Sequence, residues 1–274
     1  MLTTTITTGN FKGGVGKTTN AVMIAYTLSN RGKKSLIVDL DPQANATDLL
    51  FTTMSQVYGT KPDFSETLEV ALKKGSLENA IVHVNDNLDL LPSDDDLQNY
   101  DKFLSSSFPD DYTQDHYFSK LLSKISSKYD FVILDVPPQL NKFTDSALVA
   151  SDYVIVILQT QERSLRGAET YVKHLLQIKD DYSLDIDLLG VLPVLQQNGN
   201  DLDLDVIEDA TTSFGNANMF KQKVRQMARL KRFDRTGITN NASHDINDRR
   251  VHHLYDLVVD ELLERLKLIR EVKK

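Results

Sequence analysis

The sequence predicts an α/β fold, a doubly wound and mostly parallel sheet flanked by helices, and three observations lead to this prediction. Short β-branched or apolar runs alternate with longer segments of helical periodicity. Several short runs are apolar throughout, which is typical of parallel strands covered on both faces. A glycine-rich turn follows the first run and precedes the first helical segment. Because 274 residues suit one large domain, residues 1–274 are predicted to form a single domain.

The individual elements follow from the same patterns. The predicted strands are Thr3–Gly9, Ser35–Leu40, Leu88–Leu91, Phe131–Val136, Tyr153–Leu158 and Leu188–Val194. The predicted helices include Thr18–Asn30, Tyr117–Ser127, Leu165–Ile178 and a C-terminal helix over about 248–272. In the first helix, Ala21, Ile24, Ala25 and Leu28 recur at helical spacing and predict its buried face. Residues 52–66 and 93–116 are polar and are predicted to be loops or short helices.

Composition excludes several classes of protein. A hydrophobic content of 41% supports a sizeable core, and the chain has no cysteine. Disulfides, thiolate zinc sites, iron–sulfur clusters and cysteine nucleophiles are therefore excluded. The N-terminus lacks the features of a signal peptide, and no apolar run approaches the roughly 18 residues that cross a bilayer. These observations predict a cytoplasmic protein.

The glycine-rich turn, Phe11-Lys12-Gly13-Gly14-Val15-Gly16-Lys17-Thr18-Thr19, carries the most chemistry. It follows a strand and opens a helix, which is the context that a phosphate-binding P-loop requires. Lys17 would place an ammonium on the β- and γ-phosphates of ATP, and the Thr18 hydroxyl would bind Mg²⁺. The alternative is a glycine-rich turn with no ligand. The predicted nucleotide-binding residues are Lys12, Gly13, Gly14, Val15, Gly16, Lys17, Thr18 and Thr19.

Three aspartates end two of the predicted strands. Asp135 follows a buried apolar run, at the edge where α/β sheets bind ligands, and is predicted to hold Mg²⁺. Asp39 and Asp41 end another strand, and alternation puts both on the same side of it. Their carboxylates would repel unless a cation lies beside them. The alternative for this pair is a helix N-cap ahead of Pro42.

At these residues the chain resembles the ParA/MinD family of deviant Walker ATPases. Its loop reads K-G-G-x-G-K-T-T, with Phe11 where the ordinary Walker pattern has its first glycine. Residues 38–43 (VDLDPQ) and 129–138 (YDFVILDVPP) resemble the second motif and the Walker B strand of the family. Residues 90–93 and 150–154 add to the similarity, which extends from Thr5 to Leu268. The chain is most similar to the short ParA and plasmid Delta-type partition ATPases.

The resemblance implies roles for the named residues and partners for the protein. Asp41 would orient the attacking water, and Asp39 would support the Mg²⁺ site formed with Thr18 and Asp135. Lys12 would reach across a face-to-face homodimer to the nucleotide of the partner subunit. Lys12, Lys17 and Asp41 are thus the candidate catalytic residues, and ATP and Mg²⁺ are the implied cofactors. A ParB-like adaptor bound to a centromere-like DNA site would stimulate hydrolysis.

The charge of the chain is unevenly distributed. The net charge of −8 argues against a nucleic-acid partner. Residues 221–239, however, contain a basic segment whose cations are Lys221, Lys223, Arg225, Arg229, Lys231, Arg232 and Arg235. Helical spacing would put Arg225, Arg229 and Arg232 on one face. The segment predicts phosphate contacts with double-stranded DNA without sequence specificity, and hence association with the nucleoid. The alternative is a solvated basic surface.

Two other functions share these motifs. A MinD-like membrane-associated positioning ATPase would need a detachable amphipathic tail, whereas the C-terminal helix carries acids and is predicted to pack on the domain, so no membrane partner is expected. A metabolic amidase relative would need a nucleophile, which the sequence does not provide. The residues that contact adenine are predicted to lie in 194–197.

Overall fold

The computed structural model describes residues 3–196, 201–240 and 245–273, with the side chain of Gln196 excepted. Its described strands form one eight-stranded sheet in the order β3-β4-β2-β5-β1-β6-β7-β8. All neighbours are parallel except β3 and β4, which are antiparallel. The strands are β1 (Thr4–Gly9), β2 (Ser35–Asp39), β3 (Val82–Asn85), β4 (Leu88–Leu91), β5 (Phe131–Asp135), β6 (Tyr153–Gln159), β7 (Asp187–Gln196) and β8 (Val224–Arg225). The predicted fold class is confirmed.

Helices cover both faces of this sheet. They are α1 (Lys17–Asn30), α2 (Asn45–Thr53), α3 (Leu68–Lys74), α4 (Tyr100–Ser107), α5 (Asp111–Ser126), α6 (Lys142–Val149), α7 (Glu162–Tyr182), α8 (Asp201–Phe214), α9 (Ala228–Thr236) and α10 (Ile246–Val272). Strand alternation sends Ile6, Ile37 and Ile133 into one core with α1, α2, α9 and α10. The opposite face packs against α3 to α8 in two further clusters. Because both faces are covered, the central strands are apolar throughout.

All six predicted strands are present, and β3 and β8 were not predicted. β8 has two residues, too few for a recognisable pattern. β3 is a four-residue edge strand in which His83 is exposed and Asn85 only partly buried, so it lacks the continuous apolar run of the buried strands. The two polar stretches were predicted to be loops or short helices, and the structure shows that they contain short helices. A π-helical turn spans Met54–Tyr58, a 3₁₀ turn spans Asp95–Asn99, and α4 and the start of α5 follow.

Helix α10 packs along the domain next to α1 and α9. Val251, Tyr255, Val258 and Leu262 are fully buried. The carboxylate of Glu261 accepts hydrogen bonds from the backbone N–H groups of two residues that precede β8, Lys221 (2.8 Å) and Gln222 (2.9 Å). Within the described ranges, no helix combines the length and apolarity that crossing a bilayer requires. The helix is thus an integral part of the core.

The sheet also brings the candidate acids together. Thr8 of β1 and Asp39 of β2 are each in register with Asp135 of β5, which lies between them. The three strands are parallel, so their carboxyl ends meet at one edge. The turn that follows β1 leads from the same edge into α1.

Candidate nucleotide site and basic groove

The glycine-rich turn has the backbone shape of an anion cradle. Gly14 and Gly16 have φ angles of 75° and 90°, which favour glycine over residues with side chains. A Cβ atom at Gly14 would meet no atom within 4 Å, so this side of the loop is open. No side chain caps the start of α1, so its first N–H groups remain available to a ligand. The side chain of Val15 is fully buried in the core, which leaves only its backbone for a ligand.

The two loop lysines have different surroundings. Lys17 is 6% exposed, and burial lowers the pKa of its ammonium group, whereas nearby Asp135 and Asp41 raise it. Lys12 is partly exposed, and its Nζ donates a hydrogen bond of 2.9 Å to the carbonyl oxygen of Gly13. Lys17 is therefore held inside the loop, while Lys12 lies at its outer rim.

Asp39 is buried and well satisfied. Its Oδ2 accepts hydrogen bonds of 2.9 Å from both the N–H and the hydroxyl of Thr47 on α2, and its Oδ1 accepts one of 3.2 Å from the N–H of Asp41. Burial raises the pKa of Asp39, and the Thr47 bonds oppose the rise. Asp39 therefore fixes the start of α2. Thr47 was not predicted, although it closely follows the second motif.

Asp135 is buried and unsatisfied. Among the described residues, neither of its carboxylate oxygens has a hydrogen-bond partner, and the hydroxyl of Thr8 beside it has none either. Burial raises the pKa of Asp135, as does Asp39; Thr18 and Lys17 favour the charged form, although Thr18 is not in hydrogen-bonding geometry with either oxygen. A buried carboxylate without a partner is costly. Oxygen ligands of this kind fit Mg²⁺, so the site suits the predicted metal.

Asp41 differs from the other two acids. It is partly exposed, and its Oδ1 accepts a hydrogen bond of 3.0 Å from the N–H of Gln43. Asp41 also lies close enough to Lys17 to influence its pKa. The structure thus brings Asp39, Asp41 and Asp135 to the same end of the sheet as the loop, as the sequence predicts.

Comparison with known proteins identifies the family. A family model described as an AAA domain matches residues 3–188, about two-thirds of the chain. A ParA family protein from Chlamydia trachomatis is 32% identical over 190 residues, which are 68% of this chain and 70% of that protein. The chain belongs to the ParA/MinD family of ATPases.

Two further similarities extend this result. The chromosome partitioning protein ParA from Caulobacter vibrioides is 28% identical over 207 residues, 75% of this chain and 74% of that protein. Cobyrinic acid a,c-diamide synthase from Mycobacterium smegmatis, solved with an ATP analogue and magnesium, has a TM-score of 0.68 and 28% identity. That alignment covers 78% of this chain and 83% of the synthase chain. A protein that shares this fold has therefore been solved with an ATP analogue and Mg²⁺ bound.

In this ParA/MinD family member, a small cavity of about 90 Å³ lies beside the loop. Gly16 and Thr19 line it on one side, and Val194 and Leu195 at the end of β7 line it on another. Leu195 has a φ of 57°, unusual for a residue with a side chain, at an irregularity in the β7–β8 register. Within the predicted adenine region of 194–197, residue 197 lies outside the described residues.

The polar residues around this cavity tie α10 to the loop. The hydroxyl of Tyr255 donates a hydrogen bond of 3.0 Å to Oδ1 of Asn20, and Nδ2 of Asn20 donates one of 2.8 Å to the carbonyl oxygen of Gly16. Asn20 and Tyr255 were not predicted. Asn20 adjoins the loop motif, but no local signal distinguishes Tyr255, because its partner lies 235 residues away in the chain.

The basic segment borders a wide groove between β8, α9 and α10. The groove has a volume of about 930 Å³. The lysine and arginine residues that line it are Lys221, Lys223, Arg225, Lys231 and Arg250, and His253 lines it as well. Arg250 and His253 come from α10 and were not predicted, because they lie outside the basic run and only the packing of α10 brings them to it. Arg232 and Arg235 are exposed on α9 but do not line the groove.

Two details of the predicted basic surface are wrong. Arg225 does not share a helical face with Arg229 and Arg232, because Arg225 lies in β8 and the helix begins at Ala228. Arg229 is not a free cation. Its guanidinium pairs with buried Asp248 and donates a hydrogen bond of 2.8 Å to the hydroxyl of Thr239, and its side chain is 15% exposed. We therefore remove Arg229 from the candidates for DNA contact.

Proposed function

We propose that the chain is a DNA-partition ATPase, in which ATP and Mg²⁺ close a homodimer, the dimer binds duplex DNA without sequence specificity, and hydrolysis releases it. The observation that supports this proposal most is the basic groove. It lies on the same chain as a P-loop that has the buried residues Lys17, Asp39 and Asp135 in and beside it. A net charge of −8 makes a groove lined by five lysine and arginine side chains unusual for this surface.

The residues of the site divide the chemistry of hydrolysis among them. The loop N–H groups and Lys17 hold the phosphates in place. Asp135 and Thr18 would hold Mg²⁺, with Asp39 supporting them, and the metal would neutralise phosphate charge when bound. Asp41 has an accessible carboxylate with which to orient water. Lys12, at the outer rim of the loop, is the cation available to a second subunit.

Adenine would lie in the cavity next to Thr19. The cavity is lined by apolar Val194 and Leu195 from β7 and by Met227 and Leu230 beside or on α9. Apolar walls with a few polar groups are typical of nucleotide-base sites. This placement would bring the base into contact with α9, the helix that also carries part of the basic surface.

Helix α2 supports a coupling between the two sites. Near its start, Thr47 donates two hydrogen bonds to Asp39. At its end, the hydroxyl of Thr53 accepts a hydrogen bond of 2.9 Å from the N–H of Ile238, just after α9. Gly237 lies so close that a Cβ atom there would come within 2.6 Å of the Thr53 Cα. A shift at Asp39 on nucleotide binding would therefore reach the basic surface through one short helix.

The location and partners of the protein follow from this cycle. We expect a cytoplasmic protein associated with the nucleoid in its ATP state. A ParB-like adaptor bound to a centromere-like site would stimulate hydrolysis. Doubling the groove by dimerisation would raise the avidity for DNA, which makes binding depend on ATP.

Retention on random duplex DNA tests the proposal. The protein should be retained only with Mg-ATP, and log K should fall linearly with log salt. Arg225→Ala combined with Lys223→Ala, both at residues that line the groove, should weaken retention by about ten-fold or more and flatten the salt dependence, because each phosphate contact contributes to the slope. ATP binding should be unchanged. Lys120→Ala, an exposed cation on α5, is the matched control and should have no effect.

Two outcomes would favour other functions. Retention on anionic vesicles in place of DNA would favour a membrane-associated positioning ATPase, although the buried face of α10 makes a detachable tail unfavourable. Nucleotide binding without retention on either surface would favour a metabolic enzyme similar to the cobyrinic acid synthase. The absence of cysteine removes the usual amidase nucleophile from that alternative.

A further inference from the structure

We infer that Asn10 and Gly167 are positioning residues for Lys12, and that together they set the direction in which this lysine leaves the subunit. The inference rests on the proposed function, in which Lys12 acts on the nucleotide of a second copy of the chain. It concerns the direction of the Lys12 side chain and not the group that this side chain binds. Neither residue lies in the loop segment that faces the phosphates, since Asn10 precedes the loop and Gly167 is on α7.

Asn10 links the end of β1 to β6 and α7. Its side chain is fully buried. Nδ2 donates hydrogen bonds to the carbonyl oxygens of Ile157 (2.8 Å) and Ser164 (3.1 Å), and Oδ1 accepts a hydrogen bond of 2.8 Å from the backbone N–H of Lys12. The amide is therefore satisfied at both ends. Its orientation is fixed by two carbonyl groups outside the loop, and it holds the Lys12 peptide in turn.

Gly167 closes the other side of the Lys12 peptide. A Cβ atom at this position would lie 2.5 Å from Oδ1 of Asn10, 3.0 Å from the backbone N of Lys12 and 3.2 Å from its Cβ. The first of these distances is too short for any real contact, and the neighbour is a buried amide that cannot rotate away without losing its bonds. Helix α7 can approach the Lys12 backbone only because residue 167 has no side chain.

A glycine at position 167 destabilises the helix that contains it. Gly167 lies within the 21-residue α7, where glycine has a lower helix propensity than alanine. One turn later on the same face, Tyr171 packs over Gly9, where a Cβ atom would come 2.1 Å from the tyrosine ring. Two successive contacts between α7 and the β1–loop junction thus depend on glycine. Close packing at this junction explains a residue that helix propensity disfavours.

The direction of Lys12 depends on its backbone because its side chain is loosely held. The side chain is partly exposed, and its Nζ donates a hydrogen bond to the carbonyl oxygen of Gly13 in its own loop. The Cα–Cβ bond sets the direction in which this side chain leaves the backbone. The Asn10 amide and the α7 backbone fix that bond, whereas the carbonyl oxygen of Gly16 is held separately by Asn20 of α1.

The test compares single-subunit and two-subunit properties. Gly167→Ala should retain ADP affinity within about three-fold, since the phosphate-facing part of the loop is untouched. It should weaken ATP-dependent dimerisation and slow hydrolysis by about ten-fold or more, because small misplacements of a catalytic group have effects of this size. In a Lys12→Ala background, Gly167→Ala should cause no further loss. Gln177→Ala, on the exposed face of α7, is the control and should change nothing.

Asn10→Ala provides a second route that removes atoms instead of adding them. It should give the same selective loss of dimerisation, and it covers the case in which Gly167→Ala does not fold. Equal losses of ADP affinity and dimerisation in the folded variant would indicate general loop distortion and would overturn the inference. If Gly167→Ala and Asn10→Ala dimerise normally while Lys12→Ala dimerises poorly, the positioning inference is overturned but the proposed function is not. Normal dimerisation of Lys12→Ala itself would overturn both.

Discussion

Two buried carboxylates on neighbouring strands of the sheet differ in their hydrogen bonding. Asp39 receives three hydrogen bonds from Thr47 and Asp41, whereas the carboxylate oxygens of Asp135 receive none from the part of the chain that the structure describes. A buried carboxylate without a partner destabilises the folded protein unless a cation binds to it. This difference assigns a structural task to Asp39 and leaves Asp135 as the group that gains most from a metal ion.

Asp135→Asn should therefore raise the melting temperature of the nucleotide-free protein. Burial raises the pKa of Asp135, so the folded state disfavours the charged form that the unfolded chain adopts above a pKa of about 4. The penalty grows as the pH rises from this value. The rise in melting temperature caused by Asp135→Asn should thus be larger at pH 8 than at pH 5. It should reach several °C, since a stabilisation of about 1 kcal/mol corresponds to about 2–4 °C.

The same variant should lose the additional stabilisation that Mg²⁺ gives in the presence of ATP. Thermal unfolding at both pH values, with and without Mg-ATP, measures the two effects together. Asp86→Asn, in the exposed turn between β3 and β4, serves as the control for charge removal. A melting temperature that fell in the nucleotide-free Asp135→Asn protein would show that Asp135 stabilises the fold instead of serving the metal.

At the scale of elements, the arginines of α9 look equivalent in the sequence but have different surroundings in the structure. Arg229 lies against buried Asp248, while Arg232 and Arg235 face solvent. Sequence patterns identified the long elements and the basic run because both depend on neighbouring residues. They could not assign Arg229, because the choice between ion pair and free cation depends on where α10 packs.

Arg229→Ala should lower the free energy of unfolding by roughly 3–5 kcal/mol, since it leaves the charge of Asp248 without this buried ion pair. Arg232→Ala, three residues along the same helix, should change it by no more than about 0.5 kcal/mol. Urea denaturation measures both. Equal stability of the two variants, with DNA retention lost only in Arg229→Ala, would restore Arg229 to the DNA surface.

At the scale of the whole molecule, α10 connects the nucleotide loop with the basic groove. Tyr255 reaches the loop through Asn20, Asp248 holds α9, and Glu261 holds the chain before β8. A helix that makes all of these contacts cannot leave the domain without exposing its buried face. Membrane association through a detached tail would have to overcome that cost.

Leu262→Ala and Leu268→Ala distinguish a docked helix from a detachable one. Leu262 is fully buried and Leu268 is 54% exposed. In the docked helix, Leu262→Ala should cost about 2–5 kcal/mol and Leu268→Ala about 0.5 kcal/mol or less. Chemical denaturation of the two variants gives both values. Small and equal effects would indicate that α10 contributes little to the fold and would revive the membrane-associated alternative.

The sequence by itself determined the fold class, the P-loop and the three acids. Each of these depends on contiguous residues, and the parallel order of the strands brings their carboxyl ends to one edge. Tertiary structure alone decided that Asn10 meets Ser164 and Gly167, that Arg229 is paired, and that Arg250 and His253 line the groove. Asn10 and Ser164 are 154 residues apart, and packing between such distant segments follows from the shape of the whole core rather than from local periodicity.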